Sequence, residues 1–187
     1  LEDAFKANLI ALKYKPAAIE LMDDIILQLS KKNRLSARNA FFVKDNPAAL
    51  LMVELAEYKR DDLLKKANDL EIALKSAGYG YHFPILFGDD IKKAYNLRKA
   101  GLGLLQNMPG DAKPVAVIED TAVRPDDLPE YMQDFSSVLK KHNLSCVHYA
   151  HIATGELHLR PVINLKTEEG KQLFRTIAKE VAVLVKK

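Results

Sequence analysis

The chain repeats itself. Shifted by 65 residues, Glu54 falls on Glu119, Asp61-Asp62-Leu63 on Asp126-Asp127-Leu128, and Leu74-Lys75 on Leu139-Lys140, with no gap between the segments. Each copy reads as strand, helix, strand. In the first, residues 49–55 are a nearly continuous apolar run, as a buried strand requires. Residues 60–77 carry apolar side chains at 63, 64, 67, 70, 74 and 77, a helical stripe that Gly78 and Gly80 end. Residues 81–87 read as the returning strand. The second copy offers a strand at 115–119, a helix at 126–141 with Leu128, Tyr131, Met132, Phe135 and Leu139 on one face, and a strand at 145–152. Two β-α-β units of this kind lay their helices on one side of a common sheet. The expected fold is α+β: duplicated ferredoxin-like (β-α-β) units, an antiparallel sheet with helices on one face. The uncovered face is then free to line a site.

Around the repeat, residues 1–47 are expected as a helical lead-in, 48–105 as the first plait and 112–187 as the second. In the lead-in, Pro16 suits a first helical position, and Ile19, Met22, Ile25, Ile26 and Leu29 follow at helical spacing. That helix is expected to end near Ser30, in the basic run Lys31-Lys32-Asn33-Arg34, a solvated cap on the negative end of the dipole. Residues 89–105 read as helix. Thr167 caps the last helix, with Glu168 and Glu169 in its first turn.

The stretch with most chemistry is Tyr149-Ala150-His151-Ile152-Ala153-Thr154-Gly155-Glu156-Leu157-His158-Leu159-Arg160-Pro161. Two β-favouring runs flank a short loop, and Gly155 is free to take the positive φ that a tight loop needs. If Ile152 pairs with Leu157, His151 faces His158 and Tyr149 faces Arg160, with opposed Cβ atoms roughly 5 Å apart. Glu156, His158 and Arg160 alternate onto the same face, while Leu157 and Leu159 point to a core. Two imidazoles so placed can grip one metal ion; the same spacing also suits two half-buried strand residues. As ligands they would be neutral, which favours Zn, Fe, Mn or Co over Ca or Mg. A catalytic metal usually has three protein ligands, so two are too few for a tight site.

Composition narrows the rest. With 48% apolar residues a packed core is within reach, and a net charge of +3 is too small to argue for nucleic acid. The single cysteine, Cys146, cannot form an internal disulfide and reads as a buried thiol in a reducing compartment, the cytoplasm. No apolar run reaches the ~20 residues of a membrane span, and no signal peptide is evident. The chain starts at Leu1 and stops at Lys187 directly after an amphipathic helical run, so it is expected to be a piece of a longer protein.

The hairpin stretch resembles the His-x-Gly-x-Gly-x-Leu-His motif of the FAD-linked oxidase and D-2-hydroxy-acid dehydrogenase family, the vanillyl-alcohol-oxidase-like flavoproteins. It is most similar to the branch that often carries an iron–sulfur domain further on. Pro114-Val115-Ala116-Val117-Ile118-Glu119-Asp120-Thr121-Ala122-Val123 and Asn96-Leu97-Arg98-Lys99-Ala100-Gly101-Leu102-Gly103-Leu104-Leu105 resemble the same family, in the same order. The resemblance runs from about Ala48 to the end and is clearest from Leu97 to Leu184.

It implies the C-terminal, substrate-binding (cap) domain of an FAD-dependent oxidoreductase acting on a D-2-hydroxy acid of the lactate, glycolate or 2-hydroxyglutarate type. FAD would be bound by a preceding domain of the same parent chain, since no Gly-rich phosphate-binding turn occurs in these residues. The fragment alone would be inactive. Iron–sulfur clusters could carry electrons onward in the parent, which could sit peripherally on the inner membrane. His151 and His158 would hold a divalent metal, Zn before others, that binds the substrate hydroxyl and carboxylate. The family draws a third ligand and a base from a later Ser-Gly-Glu-His-Gly motif, which is not among these residues. The family's Gly-Asp-Gly-Asn loop is here Ala153-Thr154-Gly155-Glu156.

The resemblance also assigns Arg98 to the family's Leu-Arg substrate clamp and Lys113 to a second carboxylate contact. By themselves both read equally as a solvated face, because Lys92, Lys93 and Lys99 lie close by. Arg160 shares the His face and could meet substrate, flavin phosphate or Glu156. Tyr149 reads as packing with its hydroxyl at the site edge, His148 and His82 as structural, and His142 as a helix-end residue; Glu119 and Asp120 could line the site or cap the next turn, and the turn is preferred. The competing reading is a ferredoxin-like small-molecule-binding regulatory module without catalysis. An RNA-binding sheet is disfavoured, because the strands carry Leu, Val and Ile more than exposed aromatics.

Overall fold

A computed structural model describes all 187 residues, Leu1–Lys187. One antiparallel sheet carries the molecule, in the order β2-β1-β5-β6, with β3 and β4 both against the outer edge of β6. In chain order the elements are α1 (Glu2–Leu12), β1 (Ala18–Asp23), α2 (Asp24–Lys32), α3 (Arg34–Asn39), β2 (Ala49–Glu54), α4 (Arg60–Ser76) and α5 (Asp89–Gln106). They continue with β3 (Lys113–Pro114), β4 (Ile118–Ala122), a 3-10 turn (Pro125–Asp127), α6 (Leu128–Lys141), β5 (Cys146–His151), β6 (Glu156–Ile163) and α7 (Glu168–Val185). The α+β class and the antiparallel sheet are as the sequence implies.

Helices cover more of the sheet than the duplicated plait suggests. Ile19, Leu21, Ala150, Leu157 and Leu159 point into the main core with Phe5, Leu70, Leu74, Phe135, Ile177 and Val181, so α1, α4, α6 and α7 share one face. Met22, Val147 and Tyr149 point the other way, into a smaller core with Ile26, Leu27, Ala94, Leu97 and Leu105 of α2 and α5. The second face is therefore roofed in part, and only its remainder is open.

Residues 16–30 are not one helix. Residues 18–23 form β1, paired with β2 from Ala18↔Glu54 to Asp23↔Ala49 and with β5 at Leu21↔Ala150 and Met22↔Tyr149. Both faces of this strand are covered, so it is apolar without alternation, and its Ile and Met spacing mimics a helical stripe. The helix starts only at Asp24, where the Asp23 carboxylate accepts from the Ile26 N–H at 3.2 Å. The lead-in thus supplies a central strand.

Residues 81–87 are not a strand either. Their backbone makes no ladder: an apolar groove of about 500 Å³ lies between the segment and β2, whose outer edge stays unpaired. Tyr81, Ile85 and Phe87 stay exposed on its rim. The strand–helix halves of the two sequence copies, β2–α4 and β4–α6, do lie at opposite sheet edges with both helices on the same face. The third elements differ, one extended segment and one central strand.

Candidate metal and carboxylate site on the hairpin

The site is built on β5 and β6. Their loop is Ile152 to Gly155, closed by Gly155 N–H donating to Ile152 O at 3.2 Å and Thr154 N–H to His151 O at 3.1 Å. Gly155 has φ 77°, and a Cβ there would stand 1.8 Å from the Val123 carbonyl oxygen, so both conformation and space demand glycine.

This loop shifts the expected register. Ala150, not Ile152, pairs with Leu157; His151 faces Glu156, Tyr149 faces His158 and Val147 faces Arg160. The shift is two residues, so every side chain keeps its face. His151 and His158 are diagonal neighbours, their ring centroids 5.2 Å apart and their planes 78° to one another. Glu156 stands with them: one ligand atom from each of His151, Glu156 and His158 lies within 4.8 Å of the others. Bonds of 2.0–2.2 Å at tetrahedral angles give separations of roughly 3.4 Å, so side-chain rotations would have to draw the set closer to hold one ion.

Two further strands supply carboxylates. Glu20 on β1 accepts from His151 Nδ1 at 2.9 Å and from Arg98 Nε at 2.8 Å. A carboxylate only accepts, so a neutral His151 carries its proton on Nδ1 and leaves Nε2 free. On β4 the register against β6 advances three residues, Ile118 to Thr121, while β6 advances two, Leu159 to Leu157. This bulge, with Asp120 at φ 56°, turns Glu119 and Asp120 onto the site and not onto the following turn. Each carboxylate comes to 3.1 Å from His158 Nδ1. Neither meets hydrogen-bond geometry there, so His158 Nδ1 is buried without a hydrogen-bond partner.

The cations complete the cluster. Arg160 Nη2 donates to Glu119 at 2.8 Å, and the Tyr149 hydroxyl lies 3.4 Å from the same oxygen. The guanidinium groups of Arg98 and Arg160 lie 5.2 and 5.5 Å from the Tyr149 ring centre, and that ring stacks on His158 at 4.7 Å. Arg98 Nη2 and Arg160 Nε are buried without partners. Burial foremost pushes the His158 imidazole below its ordinary value, with Glu119 and Asp120 pulling the other way. Burial likewise raises the Tyr149 phenol.

Of the residues singled out in the sequence, His151, His158, Arg98 and Arg160 meet here. Lys113 does not. It pairs with Ile163, five residues along β6 from His158, about 17 Å at the usual strand rise, and its Nζ bonds the Met108 carbonyl. His148 faces α6, against Phe135 and 3.3 Å from Asp23, a structural residue as read. His142 ends α6 and pairs with Glu180 at 3.1 Å. Glu20 was hidden by the helical reading; its signal is a lone charge inside the apolar run Ala17-Ala18-Ile19-Glu20-Leu21-Met22.

The sequence model of the family described as "FAD linked oxidases, C-terminal domain" matches residues 1–187. The chain belongs to that family. The match begins well before Ala48 and takes in β1, which supplies Glu20. Three D-2-hydroxyglutarate dehydrogenases are similar over nearly the whole chain. That of Haemophilus influenzae is 29% identical over 92% of this chain and 18% of its own length. That of Pseudomonas putida is 28% identical over 99% and 19%, and that of Escherichia coli 26% over 91% and 18%. The chain thus spans about a fifth of the length of these relatives. No helix is long and apolar enough to cross a membrane.

Proposed function

We propose that these residues form the substrate-binding domain of an FAD-dependent dehydrogenase of a D-2-hydroxy acid, 2-hydroxyglutarate being the first candidate. The reading rests on one observation: two imidazoles 5.2 Å apart, with two arginines beside the tyrosine that stacks on His158. His151, His158 and Glu156 would hold a divalent metal, Zn before others. The donor set suits it, since burial keeps His158 neutral and carboxylates outnumber guanidinium groups around it. Bound there, such an ion supplies Lewis-acid polarisation of a substrate hydroxyl. Arg98 and Arg160 bring buried, unpartnered N–H groups that suit carboxylates, and a dicarboxylate could use both. The cluster lies on a face and not in the 500 Å³ groove, which is apolar and borders the other sheet edge. An open face suits closure by a flavin-carrying domain outside these residues.

The test is kinetic, on the full-length parent. It should oxidise D-2-hydroxyglutarate with a dye acceptor, lose activity to a chelator and regain it with Zn. The 187-residue chain alone should be colourless, bind no FAD and turn over nothing. A yellow isolated chain, or a parent indifferent to chelation, would overturn the reading. Binding of a small molecule by the chain without any such activity in the parent would favour the regulatory module.

A further inference from the structure

The carboxylate of Glu20 touches both halves of the site. Its side chain is only 10% exposed, and its two oxygens take one donor each: His151 Nδ1 at 2.9 Å and Arg98 Nε at 2.8 Å. We propose that Glu20 is a positioning residue, which turns Nε2 of His151 toward a metal and the Nη edge of Arg98 toward a substrate carboxylate. The proposal rests on the metal and carboxylate reading above.

Three features argue for positioning over plain packing. First, the backbone fixes the carboxylate. Extending the β1–β5 ladder one step from Leu21↔Ala150 and Met22↔Tyr149 puts Glu20 beside His151, so the contact follows from register and not from a chance rotamer. Second, the pairing to Arg98 is single. An arginine held for stability alone usually offers Nε and Nη together to both oxygens. Here Glu20 takes Nε and leaves Nη2 buried with no partner in the protein, and a buried donor so placed calls for another partner, a water or a ligand. Third, the other oxygen is given to an imidazole whose ring is half exposed, with 46% of the side chain open to solvent. A carboxylate on Nδ1 fixes both the tautomer and the orientation of a ligating histidine, and loss of such a partner typically lowers metal affinity 10–100-fold. One buried group thus ties the metal ligand to the substrate clamp at a fixed spacing.

The experiment uses the 187-residue chain and the variants Glu20→Gln and Glu20→Ala. In the metal-free protein, long-range 1H–15N spectra of the imidazoles should give His151 as the Nδ1–H tautomer. Glu20→Ala should release it to a mixture with Nε2–H, while His148 on the far face is unchanged. Zinc titrated against the His151 and His158 signals should bind 10–100-fold more weakly to Glu20→Ala, with Glu20→Gln between, because the amide keeps one acceptor. If Glu20→Ala leaves Arg98 too poorly paired to fold, the isosteric Glu20→Gln carries the test with the same criteria. Wild-type His151 as Nε2–H, or zinc affinity within twofold across folded variants, overturns the positioning role while leaving the metal reading in place. No zinc uptake by wild-type protein with His151 as Nδ1–H overturns the metal reading itself, and the role of Glu20 with it.

Discussion

The hairpin β5–β6 has two faces made by alternate residues of the same strands. On one, Ala150, Ile152, Leu157 and Leu159 are 0–1% exposed and pack among α1, α6 and α7. On the other, Tyr149, His151, Glu156, His158 and Arg160 meet Glu20, Glu119, Asp120 and Arg98. The apolar face is specified by volume, since close-packed interiors respond to the loss of a single methylene. The polar face is specified by polar contacts: its imidazoles and guanidinium groups are held by carboxylates from two other strands, β1 and β4, with Glu156 of the hairpin itself beside them. Stability should therefore live on the first face and chemistry on the second.

The largest effect should come from the apolar side. Leu157→Ala should cost about 2–5 kcal/mol in denaturant unfolding, the range for buried Leu truncations. It is next to His158, so a loss below ~1 kcal/mol would mean the faces are exchanged. His158→Ala is the counterpart. In the full-length parent it should lower kcat/KM on the order of 10²-fold, as loss of a Lewis-acid site does, while the melting point of the chain moves little. A parent that keeps full activity after this change breaks the comparison outright. Smaller again is Gly155→Ala, which joins the faces. At φ 77° with a Cβ 1.8 Å from the Val123 oxygen, it should cost about 1–3 kcal/mol and disturb the His151–His158 pairing together with the fold.

The sequence yields the two faces readily, because period-2 alternation survives any even shift of register. Residues 151, 158 and 160 therefore share a side although the loop pairs the strands two residues away from expectation. The demand for a glycine at 155 is legible too, as are the stripes of α4 and α6 and the helical character of α5. What stayed hidden is physically of one kind. β1 is covered on both faces, so it shows no alternation, and its Glu20 falls inside a stretch that reads as helix. The bulge that aims Glu119 and Asp120 depends on how β4 meets β6, a long-range match that no local spacing records. Residues 81–87 have strand composition but no partner within reach, and a strand exists only through its partner.

The smallest effect is also the most diagnostic, because the two faces should lose stability at opposite ends of the pH scale. Burial foremost lowers the His158 pKa from 6.5. Below about 6.5 the unfolded chain takes up a proton that the folded chain refuses until its own lower pKa. The contribution is thus complete above 6.5 and is lost as pH falls through that window, at no more than ~1.4 kcal/mol per unit for one proton. Cys146, which opens the apolar side of β5, is the mirror case. Burial foremost raises its thiol well above 9.0. The unfolded thiol ionises above that value and the folded one does not, so stability is complete below pH 9.0 and is lost as pH rises past it. Urea unfolding of the metal-free chain from pH 5 to 10, compared with His158→Gln and Cys146→Ala, isolates each term from the other titrating groups. The wild-type minus His158→Gln difference should fall only on the acid side, and the wild-type minus Cys146→Ala difference only on the alkaline side. A flat acid difference would mean that His158 stands in water when folded, and the polar face would then be too open to keep a neutral imidazole ready for a metal.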